Sequence, residues 1–475
     1  MGDLNIKDVT LDSPIISNEN LESVQTMSTQ FVEKSSKNTI STYLLILCGV
    51  VILMSYLQML WRKKRLYWYY YKTQGPIGLP FIGIGYKFVA LDMSEKTWKV
   101  HRKTIMPAFN QKILNSFQDI FWEKAEIFAN LLQKEVKNKN LDLFTLLSGC
   151  TMDIVCETAL GVNMHVQTSN ELGFIIALNK VLEITSIRTL HFWHQLRFTW
   201  KLYPISREFD KALNDFEDFI RAVISNKRRD YEHKLTKKNS SLENGTALTV
   251  EGEDRDTVAF LDLIDNDKFS ERELMDEIKT FFLAAVDTTA STLCSIFVML
   301  GLFQDVQQKV LEELIDVLGP DRRPVTDDLP KMKYLERVIK ETLRLFPAVP
   351  MIGRTLHEDI DAGDMVFPSG CSVIIGTVFV HRNPVYWPDP LKFDPDRFLP
   401  ENIAKRHPCT YIPFSYGPRN CVGGKYAMMN MKTILASVLR RFKIFTEYKS
   451  VEEITISSYL ILRLRDGPKV WIEPR

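Results

Sequence analysis

One cysteine, Cys421, lies in a glycine-containing stretch whose residue types suit metal binding. Apolar residues follow it at intervals of three and four positions, which predicts a helix that begins at about the cysteine. These residues are Met428, Met431, Leu435, Val438 and Phe442. The free amides and the positive dipole end of such a helix stabilise a thiolate, which is the form of cysteine that binds iron. Gly417 and Gly423 allow close backbone approach to a flat ligand, so we interpret Cys421 as a metal ligand.

The alternative for Cys421 is an inert buried thiol, which is the usual state of a lone cysteine in an intracellular protein. The neighbouring residues favour the ligand, because the stretch follows the pattern F-x-x-G-x-R-x-C-x-G. Its members are Phe414, Gly417, Arg419, Cys421 and Gly423. This pattern resembles the haem-binding loop of the cytochrome P450 superfamily. The resemblance implies haem b as cofactor, with the Cys421 thiolate as axial ligand of its iron and the other four residues in the cofactor site.

Three further residues are candidate ligands of the haem propionates. Trp98 and Arg102 are separated by four positions, so they share one face of a helix. The resemblance implies that both bind a propionate, for which the arginine fork is well suited. It assigns a further propionate contact to Arg354, which follows a loop at residues 348–352 that lines the substrate pocket in the family.

Polar residues inside a long apolar helix pattern mark a second candidate site. Residues 271–303 predict a helix that contains Asp287 and Thr288, whose side chains compete for helix backbone groups and therefore suggest a function. The resemblance implies that this helix crosses the distal haem face and that the acid–alcohol pair relays protons. Ala285 stands where the family usually has glycine. Ala284 stands where fatty-acid hydroxylases of the fourth family often carry the glutamate that forms an ester to haem, a bond this chain cannot make.

A third motif, E-x-x-R, places Glu341 and Arg344 on one face of a predicted helix. An exposed pair of this kind stabilises a helix by only about 0.2 to 0.5 kcal/mol and is common by chance. The order of the motifs along the chain favours a specific role for this pair, because Arg397 lies in a P-D-R-F stretch between the pair and Cys421. The resemblance implies a buried network of Glu341, Arg344 and Arg397 behind the haem loop.

Composition excludes several other classes of protein. The net charge is +1 and the chain has no long basic tract, so nucleic acid is not an expected partner. The seven cysteines are scattered, without a C-x-x-C pair or zinc-type histidine spacing, which argues against both a disulfide framework and a zinc site.

The N-terminal sequence predicts a membrane anchor. Residues 1–42 are polar and suggest a disordered luminal tail, whereas residues 43–60 are uncharged and would form ~27 Å of helix, close to the ~30 Å hydrocarbon thickness. A buried core helix is the alternative. The aromatic and basic cluster that opens residues 61–80, a hinge that is also rich in proline, favours a single-pass signal anchor in the endoplasmic reticulum membrane with a cytosolic catalytic domain.

Residues 81–475 are expected to form the monooxygenase domain. The fold class is mainly α with a small β region, a cytochrome P450 fold preceded by one transmembrane helix. Residues 105–232 predict successive helices, 233–256 a polar surface linker, and 454–471 strands. One aromatic cluster fits either the core or a membrane-facing substrate entrance. It comprises Phe192, Trp193, Phe198, Trp200 and Tyr203.

The interval between the hinge and the Trp98 helix is short. Pro76 and Trp98 are separated by 22 positions, several tens fewer than in the family. The chain therefore lacks a segment between residues 80 and 98 that would carry the first helix, the opening strands and the roof of the distal pocket. This predicts a shortened splice form or an incomplete gene model that folds poorly or binds haem weakly.

The resemblance, closest to the fourth family as found in insects, implies a monooxygenase that inserts one oxygen atom from dioxygen into a hydrophobic substrate. A fatty acid or related lipid, a xenobiotic, a hormone and an odorant all remain open as that substrate. Electrons would come from NADPH through a flavoprotein reductase, and cytochrome b5 is a further candidate partner. Three lysines belong either to the reductase docking face or to an ordinary solvated surface: Lys99, Lys103 and Lys425. The alternative function is a haem-binding relic without turnover.

Overall fold

This computed structural model describes residues 42–58, 61, 95–169, 173–190, 194, 197–243, 269–363, 365–458 and 460–475. The chain divides into two compact units. One comprises Met1–Ile84 and Leu356–Cys371, and the other comprises Gly85–Thr355 and Ser372–Arg475. The predicted luminal tail, almost all of the predicted hinge and most of the short interval before Trp98 lie outside the described residues.

The helices are α1 Thr42–Gln58, α2 Glu95–Ile105, α3 Gln111–Ser116, α4 Gln118–Lys134, α5 Leu143–Val155, α6 Gly173–Leu190, α7 Arg197–Trp200, α8 Pro204–Glu243, α9 Glu271–Leu302, α10 Gln304–Leu318, α11 Lys333–Leu345, α12 Thr377–His381, α13 Pro400–Ile403 and α14 Gly424–Arg441. The strands are β1 Met351–Thr355, β2 Ile360–Asp361, β3 Val366–Phe367, β4 Ser372–Gly376, β5 Phe442–Thr446, β6 Ile456–Ser458, β7 Leu462–Leu464 and β8 Val470–Pro474. The mainly helical fold with a small β region is thus confirmed.

Helix α9 forms the centre of the second unit. A capping box starts it, because the Ser270 hydroxyl accepts the Glu273 amide and the Glu273 carboxylate accepts the Ser270 amide. Every residue from 286 to 300 is buried except Thr288, which is half-buried. Helices α5, α11 and α14 and strand β5 pack around it. A Cβ atom on Gly301 would lie 2.9 Å from the Phe445 backbone, so glycine is required where α9 meets β5.

The strands form antiparallel pairs. In the second unit, β1 pairs with β4, β5 with β8 and β6 with β7, while β2 and β3 form a hairpin in the first unit. The strands predicted at residues 454–471 are β6, β7 and the start of β8. They bring the end of the chain back to the core, because Ile472 of β8 is fully buried against β5.

The polar stretch at residues 233–256 was predicted to be a linker, and this is wrong for its first part. Helix α8 continues through Glu243, and residues 244–256 lie outside the described residues. Polarity alone does not end a helix, since lysine, glutamate and leucine are strong helix formers and neither proline nor glycine occurs before Gly245.

The transmembrane anchor remains a prediction. In the described chain, Leu143–Leu160 and Glu271–Leu302 are long and apolar enough to cross a membrane, but most of each is buried inside the protein, as in core helices. Helix α1 is shorter, and its apolar side chains, such as Leu45 and Ile52, are exposed.

The described residues near position 200 differ in burial, so they support both the core interpretation and the membrane-facing interpretation of the aromatic cluster. Trp200 is buried, and the Arg188 guanidinium carbon lies 4.7 Å from its ring centroid, which favours a core role. Leu202 is 77% exposed and Tyr203 is 40% exposed, as a membrane-facing surface requires. Phe192 and Trp193 lie outside the described residues.

Candidate active site around Cys421

The loop that carries Cys421 is fixed by its own backbone. The Cys421 amide donates to the Phe414 carbonyl at 2.8 Å, and this bond joins the two ends of the loop. Gly417 has φ +82°, a left-handed conformation that favours glycine, and Ser415 adopts φ +62°. Helix α14 begins at Gly424, slightly later than the predicted start at about the cysteine.

The sulfur lies in front of the first turn of α14. Cys421 is accessible at the surface, but the dense protein around it raises the pKa of its thiol. A hydrogen bond from the Gly423 amide and the charge of Arg102 lower that pKa in turn. The Gly423 amide belongs to the start of the predicted helix, and its hydrogen bond offsets part of the effect of burial on the pKa of the Cys421 thiol.

Small residues keep the space beside the sulfur open. A Cβ atom on Gly423 would lie 3.9 Å from Cys421 Sγ and 4.0 Å from the Phe109 ring, and one on Gly424 would lie 3.5 Å from the Phe414 ring. These are ordinary contact distances, so a methyl group fits but a larger side chain would crowd the thiol. Phe109 is a neighbour that the sequence analysis missed, because no motif marks it.

Three predicted site residues on two elements contact this loop, to which Arg419 itself belongs. Arg102 on α2 donates to the Asn420 carbonyl at 2.7 Å and to its side-chain Oδ1 at 2.8 Å. The Arg419 guanidinium carbon lies 4.3 Å from the Trp98 ring centroid. Arg354 on β1 donates to Ser415 Oγ at 3.1 Å. The fold therefore brings into direct contact residues that are separated by 318 positions for Arg102 and Asn420 and by 61 positions for Arg354 and Ser415.

These residues fit a doubly anionic, iron-containing macrocycle. Arg102 Nε is buried and has no hydrogen-bond partner among the described residues. Burial lowers the pKa of Arg354, and the neighbouring Arg419 lowers it further, as like charges do. Within the described ranges, no carboxylate forms an ion pair with either arginine or with Arg102. An excess of positive charge beside an accessible thiol is what haem with two propionates would neutralise.

The predicted network behind the loop forms a buried cluster. Arg344 donates from Nε to Glu341 Oε2 at 2.7 Å and from Nη2 to Oε1 at 2.8 Å, and both side chains are fully buried. Arg397 Nε lies 3.5 Å from Glu341 Oε1. Burial raises the pKa of Glu341, and Arg344, the Asp394 amide and Arg397 oppose that rise.

This network also holds the chain that leads to Cys421. Arg344 donates to the carbonyls of His381, Pro390 and Lys392. The Asp394 amide donates to Glu341 at 2.9 Å. The Glu341–Arg344 pair therefore fixes the chain segment at residues 381–394, because the donors of Arg344 and the acceptors of Glu341 are all used.

The two predicted residues of the central helix have different surroundings. The Thr288 hydroxyl is half-buried and donates to the Ala284 carbonyl at 2.6 Å. Asp287 is buried, and its Oδ1 accepts from Arg463 on β7 at 2.6 Å. Burial raises the pKa of Asp287, and Arg463 lowers it. The sequence analysis missed Arg463, since no local pattern distinguishes this arginine in a strand from any other.

The lysines proposed for a docking face are exposed. Lys99 and Lys103 lie on α2 and Lys425 lies in the first turn of α14. All three are therefore on the two helices that carry or contact the cysteine loop. Exposure is compatible with a partner surface and with a solvated surface.

Comparison with known proteins agrees with the site. The family model described as Cytochrome P450 matches residues 83–470. Cytochrome P450 4c3 of Drosophila melanogaster is 37% identical over 405 residues, which cover 83% of this chain and 74% of the relative. Cytochrome P450 4V2 of Mus musculus is 36% identical over 403 residues, with the same coverage.

The predicted resemblance to the fourth P450 family is confirmed by these names, which come from an insect and a mammal alike. A cysteine loop, three arginines that form no ion pair with a described carboxylate, and a buried Glu–Arg network occur together in the structure, and the family model spans all of them. The chain therefore belongs to the cytochrome P450 family and is a P450 monooxygenase.

Proposed function

We propose that this monooxygenase is membrane-anchored, binds haem b through Cys421, and oxidises a hydrophobic small molecule with electrons from NADPH. The reaction converts RH, dioxygen, NADPH and a proton into ROH, water and NADP+. The observation that carries the proposal is the convergence of Trp98, Arg102 and Arg354 on the loop that contains Arg419 and Cys421.

Residues of this loop and of the elements that contact it would hold the cofactor. Bound haem supplies dioxygen activation and oxygen transfer. Cys421 binds the iron as thiolate, and the Gly423 amide stabilises its negative charge. Arg102, Arg354 and Arg419 bind the propionates, and Trp98 orients Arg419. Phe414, Gly417 and Gly423 shape the loop, while Glu341, Arg344 and Arg397 support it from behind.

Asp287 and Thr288 deliver protons on the opposite side of the site. The Thr288 hydroxyl uses its one hydrogen for the Ala284 carbonyl, which leaves its oxygen lone pairs available as acceptors. Asp287 uses one carboxylate oxygen for Arg463, and its Oδ2 has no hydrogen-bond partner among the described residues. Each side chain thus retains the free capacity that a relay needs.

The membrane and the redox partners complete the proposal. The exposed apolar side chains of α1 and the basic residues after it support a single-pass anchor in the endoplasmic reticulum membrane with the catalytic domain in the cytosol. A flavoprotein reductase docks on the face that includes Lys99, Lys103 and Lys425, and cytochrome b5 is a further candidate for that face. Exposed Leu202 and Tyr203 suit a substrate entrance from the membrane.

The sequence lacks a segment between residues 80 and 98, and the β1–β4 pair supports this part of the proposal. Ile374 and Ile375 of β4 are each 37% exposed. Successive strand residues point to opposite faces, so both faces of this strand are partly uncovered. Phe379, which follows in α12, is 75% exposed. A longer chain would provide strands or a helix to cover these apolar residues.

Reconstitution tests the proposed function. The purified chain is combined with haem, a purified flavoprotein reductase and NADPH, and a panel of fatty acids, such as dodecanoic acid, and xenobiotics is screened for hydroxylated products. We expect NADPH-dependent product from at least one substrate class. Haem binding with a thiolate spectrum but without reduction by the reductase would instead indicate a relic.

A further inference from the structure

We propose that Arg463 is a positioning residue that holds the Asp287 carboxylate in place for proton delivery. The inference rests on the proposed role of Asp287 and adds a residue to it. Arg463 lies on β7, in the last hairpin of the chain, and Asp287 lies in the middle of α9. The hairpin would thereby contribute to the reaction although Arg463 and Asp287 are separated by 176 positions in the sequence.

The geometry fixes both ends of the contact. Arg463 Nη2 donates to Asp287 Oδ1 at 2.6 Å and to Asn179 Oδ1 on α6 at 3.0 Å. The Arg463 guanidinium carbon lies 4.6 Å from the Phe144 ring centroid on α5. Three neighbouring helices therefore hold the guanidinium, which a planar fork with several donors makes possible.

The hairpin that carries Arg463 is itself tied to its surroundings. The Leu460 amide donates to Ser186 Oγ on α6 at 3.1 Å, and the Leu462 amide donates to the Ala348 carbonyl at 2.9 Å. Residues 348–352 form the loop that the resemblance assigns to the substrate pocket. The position of Arg463 is therefore set by elements around the pocket as well as by Asp287.

One carboxylate oxygen is occupied and the other is not. Asp287 Oδ2 is buried and has no hydrogen-bond partner in the described part of the chain. An unpaired buried oxygen of this kind costs free energy of folding, and a catalytic role is one reason for a protein to retain it. Because Arg463 holds Oδ1, the carboxylate cannot rotate freely, and Oδ2 keeps one direction. This arrangement is what a relay group requires.

Electrostatics points the same way. Burial raises the pKa of Asp287, and the charge and hydrogen bond of Arg463 lower it. Among the described residues, Cys294 on α9 also feels the charge of Asp287, and burial, Asp142 and Asp287 together raise the pKa of its thiol. Arg463 is the charged group that opposes burial at Asp287. Its removal would raise the pKa of Asp287 further and leave a buried carboxylate without a countercharge.

The alternative is that the contact only fastens the hairpin to the core. The variants Arg463→Met and Arg463→Lys separate these roles, since methionine keeps much of the apolar stem and lysine keeps the charge. Arg465→Met is the matched control, because Arg465 is exposed in the same hairpin. Each is made in the full haem-loaded chain and in an Asp287→Asn background.

The first measurement is the midpoint of thermal unfolding between pH 5 and pH 8. A carboxyl whose folded pKa is raised contributes stability at low pH that is lost as pH rises through that pKa. The unfolding midpoint of Arg463→Met should lie below that of the unmodified chain. We expect this deficit to be larger at pH 8 than at pH 5, by about 2 °C or more. The deficit should be independent of pH in the Asp287→Asn background and small for Arg465→Met.

The second measurement is peroxide released per NADPH consumed with a purified flavoprotein reductase and no added substrate. We expect this ratio to rise in Arg463→Met, to return towards the unmodified value in Arg463→Lys, and to stay unchanged in Arg465→Met. A deficit that is the same at every pH, or an unchanged peroxide ratio in Arg463→Met, would overturn the proposal. Failure of the proposed function is a separate result, because the unmodified chain would then lack the thiolate spectrum or consume no NADPH, while the unfolding measurement would still report on the contact.

Discussion

The Arg419 guanidinium lies over the face of the Trp98 indole, with its central carbon 4.3 Å from the ring centroid. This contact joins the first helix of the described domain to the loop of Cys421. It also fixes the direction of a cation that has no carboxylate partner among the described residues. The Trp98 ring therefore links α2 to the loop that carries Arg419 and Cys421.

Replacing Trp98 with leucine should weaken haem retention, whereas phenylalanine should preserve most of it. A cation over an aromatic face contributes about 0.5 to 2 kcal/mol, so haem loss should become about 2- to 30-fold faster in Trp98→Leu. The measurement is the rate of haem transfer to an excess of apomyoglobin. Equal rates for the leucine variant and the unmodified chain would show that Trp98 does not orient Arg419.

Replacing Glu341 with glutamine should prevent the chain from accumulating in a folded, haem-loaded form. The change leaves the buried charge of Arg344 without its partner, which costs about 3 to 5 kcal/mol. Glu183→Gln is a matched control, because Glu183 pairs with Lys180 at the same spacing of three positions but at an exposed site, where a pair contributes about 0 to 1 kcal/mol. Haem absorbance per purified protein should fall in the first variant and remain near normal in the second.

The Glu341–Arg344 contact was predictable because a spacing of three positions on a helix is sufficient to bring the side chains together. The assignment of Asp287 to α9 was predictable for a different reason, since apolar periodicity defines a long helix. The partner of Asp287 was not predictable, because the fold alone brings Arg463 to it. The continuation of α8 through Glu243 was also missed, because polar helix formers give no apolar signal.

Replacing Thr288 with alanine should uncouple NADPH consumption from product formation while haem binding is retained. The change removes the hydroxyl proposed for proton delivery and leaves the cysteine loop unchanged, so product per NADPH should fall by about tenfold or more and peroxide should rise. Thr292→Ala is the matched control, since the Thr292 hydroxyl makes the same type of bond, to the Thr288 carbonyl, one turn along the helix. An equal effect in both variants would indicate loss of helix structure and not of a relay.

Restoring a family-length segment between residues 80 and 98 should increase haem loading. The exposed apolar residues on β4 and Phe379 would then be covered, and loss of several buried elements exceeds the ~5 to 15 kcal/mol by which domains are usually stable. The two chains are expressed side by side, and haem per protein and thermal unfolding are compared. Full haem loading and equal turnover by the 475-residue chain would contradict the inference.

The central claim, that Cys421 binds haem iron as a thiolate, is tested most directly by the spectrum of the reduced carbon monoxide complex. We predict that the unmodified chain gives the red-shifted Soret band of a thiolate ligand, that Cys421→His loses the band while still binding haem, and that Cys409→Ala, which changes another exposed cysteine, keeps it. Persistence of the band in Cys421→His, or its loss in Cys409→Ala, would contradict the account.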